Sequence, residues 1–243
     1  MNTIGNRIRD PGAREARAVR ILDAARELLV RHGYRRITID DIAGRAGIGK
    51  GTVYLHWKTR EDLFRAVFER EAVEAIDELI QALRLDPNGW MLHRMARSYF
   101  LIIMGRPLLT AVFLDDAELL GKLSRPDSEA GQHRDQLTAR AYFELLAEHG
   151  LLQADLRPEA AAYGFLATLE GFVRAEATAD EQLGSIQERA ELLARIVRRA
   201  FEADRDVSPE TGEAVVAQVV ELFNRAADAG RADLGLGNHT GAG

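Results

Sequence analysis

The chain has no cysteine among its 243 residues. This removes structural disulfides, thiol redox sensing, cysteine-ligated zinc and cysteine nucleophiles together. Long hydrophobic runs are also missing: the longest, Tyr99 to Met104, falls far short of the ~20 residues that cross a bilayer. The opening stretch MNTIGNRIRDPGAREARAVR is polar and basic with no apolar centre, unlike a secretory signal. These absences lead us to expect a soluble, cytoplasmic chain with no membrane partner. Lysine is scarce, 3 residues against 29 arginines, which points to GC-rich coding and is silent on function. No stretch alternates polar and apolar residues between turn signals, so strands are not expected. What is abundant is Ala, Leu, Arg and Glu, with apolar residues recurring at three and four, and this predicts an all-α protein.

The charge is unevenly placed. The formal net charge is −6, yet residues 1–70 carry 15 Lys and Arg against 9 Asp and Glu, and residues 71–243 carry 17 against 29. A basic end suits a polyanion, and an acidic body discourages unspecific contact elsewhere. Chance in a helical protein gives the same split, so the motifs must decide.

The spacing predicts a first helix over 15–32, with Ile21, Ala24, Ala25, Leu28 and Leu29 on one face and Gly33 as its stop. Two short helices follow at 38–46 and 49–57, and a longer one runs from Arg60 to about Leu83. Thr38 and Thr59 are N-caps, each with an acid three residues on, Asp41 and Asp62. Asp86-Pro87-Asn88-Gly89 is a breaker. Later helices are expected at 90–104, 107–122, 128–149, 158–177 and 181–203, with breaks over 124–127 and near Ala179. A linker from Asp204 leads to a last amphipathic helix, over 211–229, with Val215, Val216, Val219, Leu222, Phe223 and Ala226 on one side. It lies beyond what the fold requires, and the glycine-rich stretch from Gly230 is expected to be disordered.

The informative segment is Thr38 to Trp57. Ile39, Ile42, Ala43 and Ala46 form the inner face of one short helix, Gly47 permits a sharp turn, and Ile48 plugs the corner. On the next helix Val53 and Trp57 point inward, leaving Lys50, Thr52, Tyr54, Leu55 and His56 outward. This is the layout of a helix-turn-helix whose second helix enters the major groove. Lys50 suits a phosphate or guanine edge, Thr52 and His56 suit base edges, Tyr54 a phosphate and Leu55 a thymine methyl. The helix N-termini at Thr38 and Thr59 offer backbone N–H groups to phosphates, with Lys58 beside the second. Gly44 to Lys50 nearly matches a phosphate-binding P-loop, but Gly51 stands where Ser or Thr should hold magnesium and no strand precedes it. Arg7, Arg9 and Arg14 in a flexible basic arm over 1–14, with Arg17 just after it, are fit either for a minor groove or for plain solubility.

From Ile21 to Leu63 the chain resembles the DNA-binding domain of the TetR family of bacterial regulators. The resemblance rests on Ile21, Ala25, Gly33, Thr38, Ile42-Ala43, Ala46-Gly47-Ile48, Lys50-Gly51-Thr52-Val53-Tyr54 and His56-Trp57-Lys58-Thr59-Arg60-Glu61-Asp62-Leu63. The chain departs from the family in having Gly49 for the usual Ser and Arg60 for the usual Lys. The resemblance implies DNA contacts at or near Thr38, Lys50, Gly51, Thr52, Tyr54, His56 and Lys58. It also implies an N-terminal three-helix helix-turn-helix domain, 15–63, followed by a larger helical ligand-binding and dimerisation domain, 64–203.

Within that body, Leu183, Ile186, Ala190, Leu193, Val197 and Ala200 form an apolar stripe, and the preceding helix carries Ala160, Ala161, Ala162, Gly164, Ala167 and Gly171. We expect these two helices to pair with their copies in a homodimer, although completing the chain's own core would use the same pattern. Trp90, Met95, Tyr99, Phe100, Phe113, Tyr142, Phe165 and Phe172 are candidates to line a ligand cavity, and their spacing suits a core equally well. His93, His133 and His149 share no spacing with Asp115, Asp116 and Glu118, so no metal or other cofactor is expected. The leading reading is a ligand-responsive regulator, most simply a repressor, that binds a palindromic DNA operator as a dimer and is released by a small-molecule effector. A DNA-binding protein answering to a protein partner is the alternative, with the last helix as its support. No nucleophile elbow, acid–base pair or metal motif suggests an enzyme.

Overall fold

The computed structural model describes residues 11–86, 88–121, 129–178 and 184–235, with side chains at 12–86, 88–121, 136–178 and 184–235. The regular elements among them are helical: α1 Pro11–His32, a single 3-10 turn Tyr34–Arg36, α2 Ile39–Ala46, α3 Lys50–Tyr54, α4 Arg60–Leu85, α5 Leu92–Met104, α6 Pro107–Leu114, α7 Ala117–Leu120, α8 Glu129–Glu148, α9 Pro158–Thr178, α10 Ile186–Phe201 and α11 Pro209–Asp233. One isolated bridge, Leu152 to Glu202, is the only strand-like pairing among the described residues.

Local chemistry sets the helix ends. Thr38, Thr59 and Ser185 each form a capping box with the acid three residues on, so two otherwise orphaned N–H groups are bonded at each start. Gly47 stops α2 in the left-handed region, φ 66° and ψ 37°, and donates back to Ala43 and Gly44. Pro107 and Pro209 occupy first turns, where their missing N–H costs nothing. At Gly105-Arg106 the chain turns by 104° between α5 and α6.

Two cores result. In the N-terminal head, Ile21, Leu22, Ala25, Leu29, Tyr34, Ile42, Val53, Leu63, Phe64 and Val67 close on one another, joined by Leu108 from α6. The body core takes the second half of α4, α5 and α8–α11, with Trp90, Phe100, Ile103, Leu146, Leu193, Val197, Val219 and Phe223 enclosed. α4 serves both. The boundary expected at residue 63 is therefore crossed by α4 and by an α6 side chain that the head cannot do without.

Several expectations are corrected. α1 begins at Pro11, so Arg14 and Arg17 lie on a helix rather than in an arm, while Arg7 and Arg9 are outside the described residues. The helix expected over 107–122 is broken at Asp115, whose φ of 51° ends α6, and Asp116 caps α7. The helix expected from 181 starts at Ile186, and the breaks at 124–127 and near Ala179 are outside the described residues. α11 runs to Asp233 with Gly230 buried, so order extends past the expected limit; residues 236–243 are outside the described residues.

Nor is α11 an addition to a finished fold. It lies against α4 and α8, with the Phe223 ring 5.9 Å from that of Tyr142 and Gly212 set against the Trp90 indole. Arg231 pairs with Asp77 on α4. The apolar face thus finds its partner inside the chain, against Trp90 and Tyr142. Burying Val215, Val219 and Phe223 is worth about 1.5–3 kcal/mol each, and the three together are comparable to the whole stability of a domain. A chain cut after Asp206 is expected to lose its cooperative melting transition in circular dichroism. An unchanged melting temperature would show that α11 is dispensable.

Candidate nucleic-acid interface

The head presents α3 by burying its other side. Val53 is fully enclosed, and Ile48 and Trp57 are half-buried against the same core. The residues left over are those singled out from the sequence. Thr38, Gly49, Lys50, Gly51, Tyr54, Leu55, Lys58 and Thr59 are exposed, and Thr52 and His56 are half-buried. α3 is shorter than expected, five residues, so Leu55 and His56 sit in the turn that follows it. His56 is held below its usual pKa by burial and then by the nearby charges of Arg14 and Arg17. The neutral ring at pH 7 can donate from one nitrogen and accept at the other.

The N-termini of α2 and α4 differ from the expectation of free N–H groups. Asp41 accepts from Thr38 N at 2.8 Å, and Asp62 from Thr59 N at 3.1 Å. Each threonine hydroxyl in turn accepts from the N–H of its acid. Both carboxyls are held below their usual pKa, first by the threonine hydroxyl. The capping boxes thus occupy two of the donors at each end and place a carboxylate where a phosphate would approach, so any phosphate contact there falls to the remaining groups.

Sequence reading missed Asp40. Its carboxylate lies 2.6 Å from Lys50 Nζ, and this hydrogen bond holds the ammonium above its usual pKa. Both side chains are exposed. Ten residues and a turn separate them, so no helical periodicity announces the pair.

The other candidate sets fare differently. Trp90, Met95, Phe100 and Tyr142 are buried, and Tyr99, Phe113, Phe165 and Phe172 half-buried. They pack ring against ring, Phe100 on Phe172 at 6.1 Å, Tyr99 on Phe113 at 6.4 Å and Phe143 on Phe165 at 5.6 Å. They fill the body instead of lining an opening. Met95 borders a void of about 20 Å3, the size of one water. A larger groove lies elsewhere, at the junction of head and body. Of the expected dimer stripe, Ala190, Leu193 and Val197 are fully enclosed in the chain's own core, where α10 packs on α5. That expectation is corrected, because a side chain already covered has no surface left for a second copy. Ile186 is half-buried, Ala200 is exposed, and Leu183 is outside the described residues. His93 is held by Glu202 at 2.8 Å, and among the described residues no three His, Asp or Glu converge as metal ligands. No single described helix is long and apolar enough to cross a membrane.

Residues 21–67 match the model of the family described as bacterial regulatory proteins, tetR family. The transcriptional activator FasR of Mycolicibacterium smegmatis is 36% identical over 83 residues, covering 34% of this chain and 36% of that protein. The first curated relatives are each matched over only about a third of their length. The transcriptional repressor BepR of Brucella suis is 24% identical over 162 residues, covering 63% of this chain and 77% of that protein. In fold, the chain is similar to a crystal structure described as a TetR-family regulator from Mesorhizobium loti. The TM-score is 0.60 at 23% identity, over 78% of this chain and 98% of the other.

Asp40 offsets the Lys50 charge here, so if Lys50 serves a phosphate, Asp40→Asn is expected to tighten DNA binding several-fold. The slope of log affinity against log salt should steepen by about one. Binding titrations across a salt series measure both, and an unchanged slope would mean that Lys50 does not exchange partners.

Proposed function

The chain belongs to the TetR family of bacterial transcriptional regulators, and on that footing we propose that it binds a palindromic DNA operator as a homodimer and is released when a small molecule binds its helical body. The observation that carries the DNA reading is the outward set on and around α3. Lys50, Gly51, Tyr54 and Leu55 face solvent while the opposite side of the same short helix is spent on the core. In this reading Lys50, Tyr54 and Lys58 meet phosphates, Thr52 and His56 meet base edges and Leu55 a thymine methyl, with Thr38, Gly49 and Thr59 flanking the backbone.

Gly51 supports it further. A glycine inside a helix costs about 0.5–1 kcal/mol relative to alanine, yet a Cβ there would meet nothing in this chain within 4 Å. The packing of the protein does not call for glycine, whereas a closely approaching DNA backbone would.

A reader of a two-fold operator needs two copies, with recognition helices ~34–36 Å apart. With Ala190, Leu193 and Val197 enclosed, the surface that suits a second copy is the outer face of α9. There Tyr163 is 79% and Leu166 52% exposed, Ala167 and Gly171 follow, and Ile196 and Ala200 of α10 lie outward. The alternative reading, control by a protein partner, loses its former support, since the apolar face of α11 is used within the chain. Relatives named as activator and as repressor both match this chain, so either sign of regulation is compatible with the likeness.

Selecting genomic fragments with the purified protein at physiological salt, then footprinting the best one, tests the reading. A short palindromic footprint is expected, lost in Lys50→Ala/Tyr54→Ala. Gly51→Ala should raise the melting temperature slightly while weakening binding at least tenfold. No salt-resistant fragment, or full binding by Gly51→Ala, would count against it. For assembly, Tyr163→Glu/Leu166→Glu is expected to sediment as a folded monomer with weakened operator binding, and a persistent dimer would move the interface elsewhere.

A further inference from the structure

Where α1, α4 and the α5–α6 bend meet, an open groove of about 520 Å3 is lined by Arg26, Arg106, Glu74, Glu78 and an apolar wall of Leu101 and Ile102. That volume falls within the ~300–1,000 Å3 typical of small-molecule sites. Its guanidinium groups are already engaged. Arg26 pairs with Glu71, and Arg106 donates to Glu71 at 3.1 Å, Glu74 at 3.0 Å and Glu78 at 2.6 Å, leaving its side chain only 11% exposed. Behind them Arg70 pairs with Asp23 at 2.7 Å and lies 3.6 Å from Glu74. Within this connected set, the three guanidiniums of Arg26, Arg70 and Arg106 face the four carboxylates of Asp23, Glu71, Glu74 and Glu78, so one negative charge is left over. The Glu74 and Glu78 side chains, one turn apart on α4, are 45% and 51% exposed.

We infer that this groove binds an organic monocation, its ammonium head against Glu74 and Glu78 and a short apolar tail along Leu101 and Ile102. Each carboxylate has acceptor sites beyond those Arg106 takes, and one positive charge neutralises the set. An anion would add to the excess charge, and a neutral apolar ligand would strip water from the carboxylates without replacing it. The site is also placed to be felt by the head. A cation that draws Glu74 and Glu78 away loosens Arg106, two residues before Leu108 in the head core, and Arg106 shares Glu71 with Arg26 of α1. The effect on DNA rests on the regulator reading above and requires the cation to prefer the loosened state; the binding itself does not.

Calorimetric titration of the full chain with hexylammonium, whose N–H groups can donate to the free carboxylate acceptor sites, tests the site. One cation per chain is expected, with affinity falling about fivefold in Glu78→Gln and falling with added salt. Glu144→Gln, which alters an exposed Arg-paired carboxylate on α8, should bind as wild type. Heptanoate, of similar length and opposite charge, should not bind. Glu78→Gln leaves Arg106 on Glu71 and Glu74, so its melting temperature is expected to stay near wild type and to exclude misfolding as the cause. Absent cation binding, equal affinity in Glu78→Gln, or tighter binding of heptanoate would overturn the inference. The titration contains no DNA, so the two readings fail separately. A chain that binds the cation but no genomic fragment keeps the site and loses the regulator; one that binds an operator but no cation does the reverse.

Discussion

Glu71 lies near the middle of α4 with none of its surface exposed, and it takes Arg26 from α1 and Arg106 from the α5–α6 bend. A buried carboxylate is tolerable only while its partners stay, and stripping one partner from such a pair costs about 3–5 kcal/mol. Neither α1 nor the bend can therefore move far without the other. The apolar side of the same junction repeats the constraint: Leu108 completes the head core, and a side chain at Gly121 would collide with the Tyr34 ring. Head and body share a helix, a charge network and a core residue, so a displacement at one is transmitted to the other by contact.

The recognition surface follows from that rigidity. α3 has only five residues and would not hold as a helix alone. It is kept in place by Val53 below, by Gly47 before it and by the capping boxes on either side. The same boxes put Asp41 and Asp62 at the starts of α2 and α4, and Asp40 engages Lys50. On the reading proposed above, the basic head would be less basic at that face than its composition suggests, leaving more of DNA binding to shape and base contacts.

The body is organised around filling space. Its aromatic rings stack on one another, α10 spends its stripe on α5, and α11 closes over Trp90 and Tyr142. An open groove lies at the junction with the head, beside the charge network. On the outer side of α9, Tyr163 and Leu166 are among the large apolar side chains that stay exposed.

What the amino-acid order determined by itself is what depends on neighbours a few residues away. Threonine caps with acids three residues on, a left-handed stop at Gly47 and apolar spacing of three and four are enough to place α2, α3 and the start of α4, and with them the outward set on α3. These are short-range interactions, and their partners are legible in the sequence. Tertiary structure decided which neighbour covers each apolar face. The pattern Ala190, Leu193, Val197 is the same whether α5 or a second copy lies against it, and the stripe of α11 reads the same as a spare helix or as part of the core. Spacing shows only that a face must be covered, because burial is a property of whatever arrives from far along the chain. The charge pairs that tie the molecule together, 45 residues apart for Arg26 and Glu71 and 154 for Asp77 and Arg231, leave no local trace for the same reason.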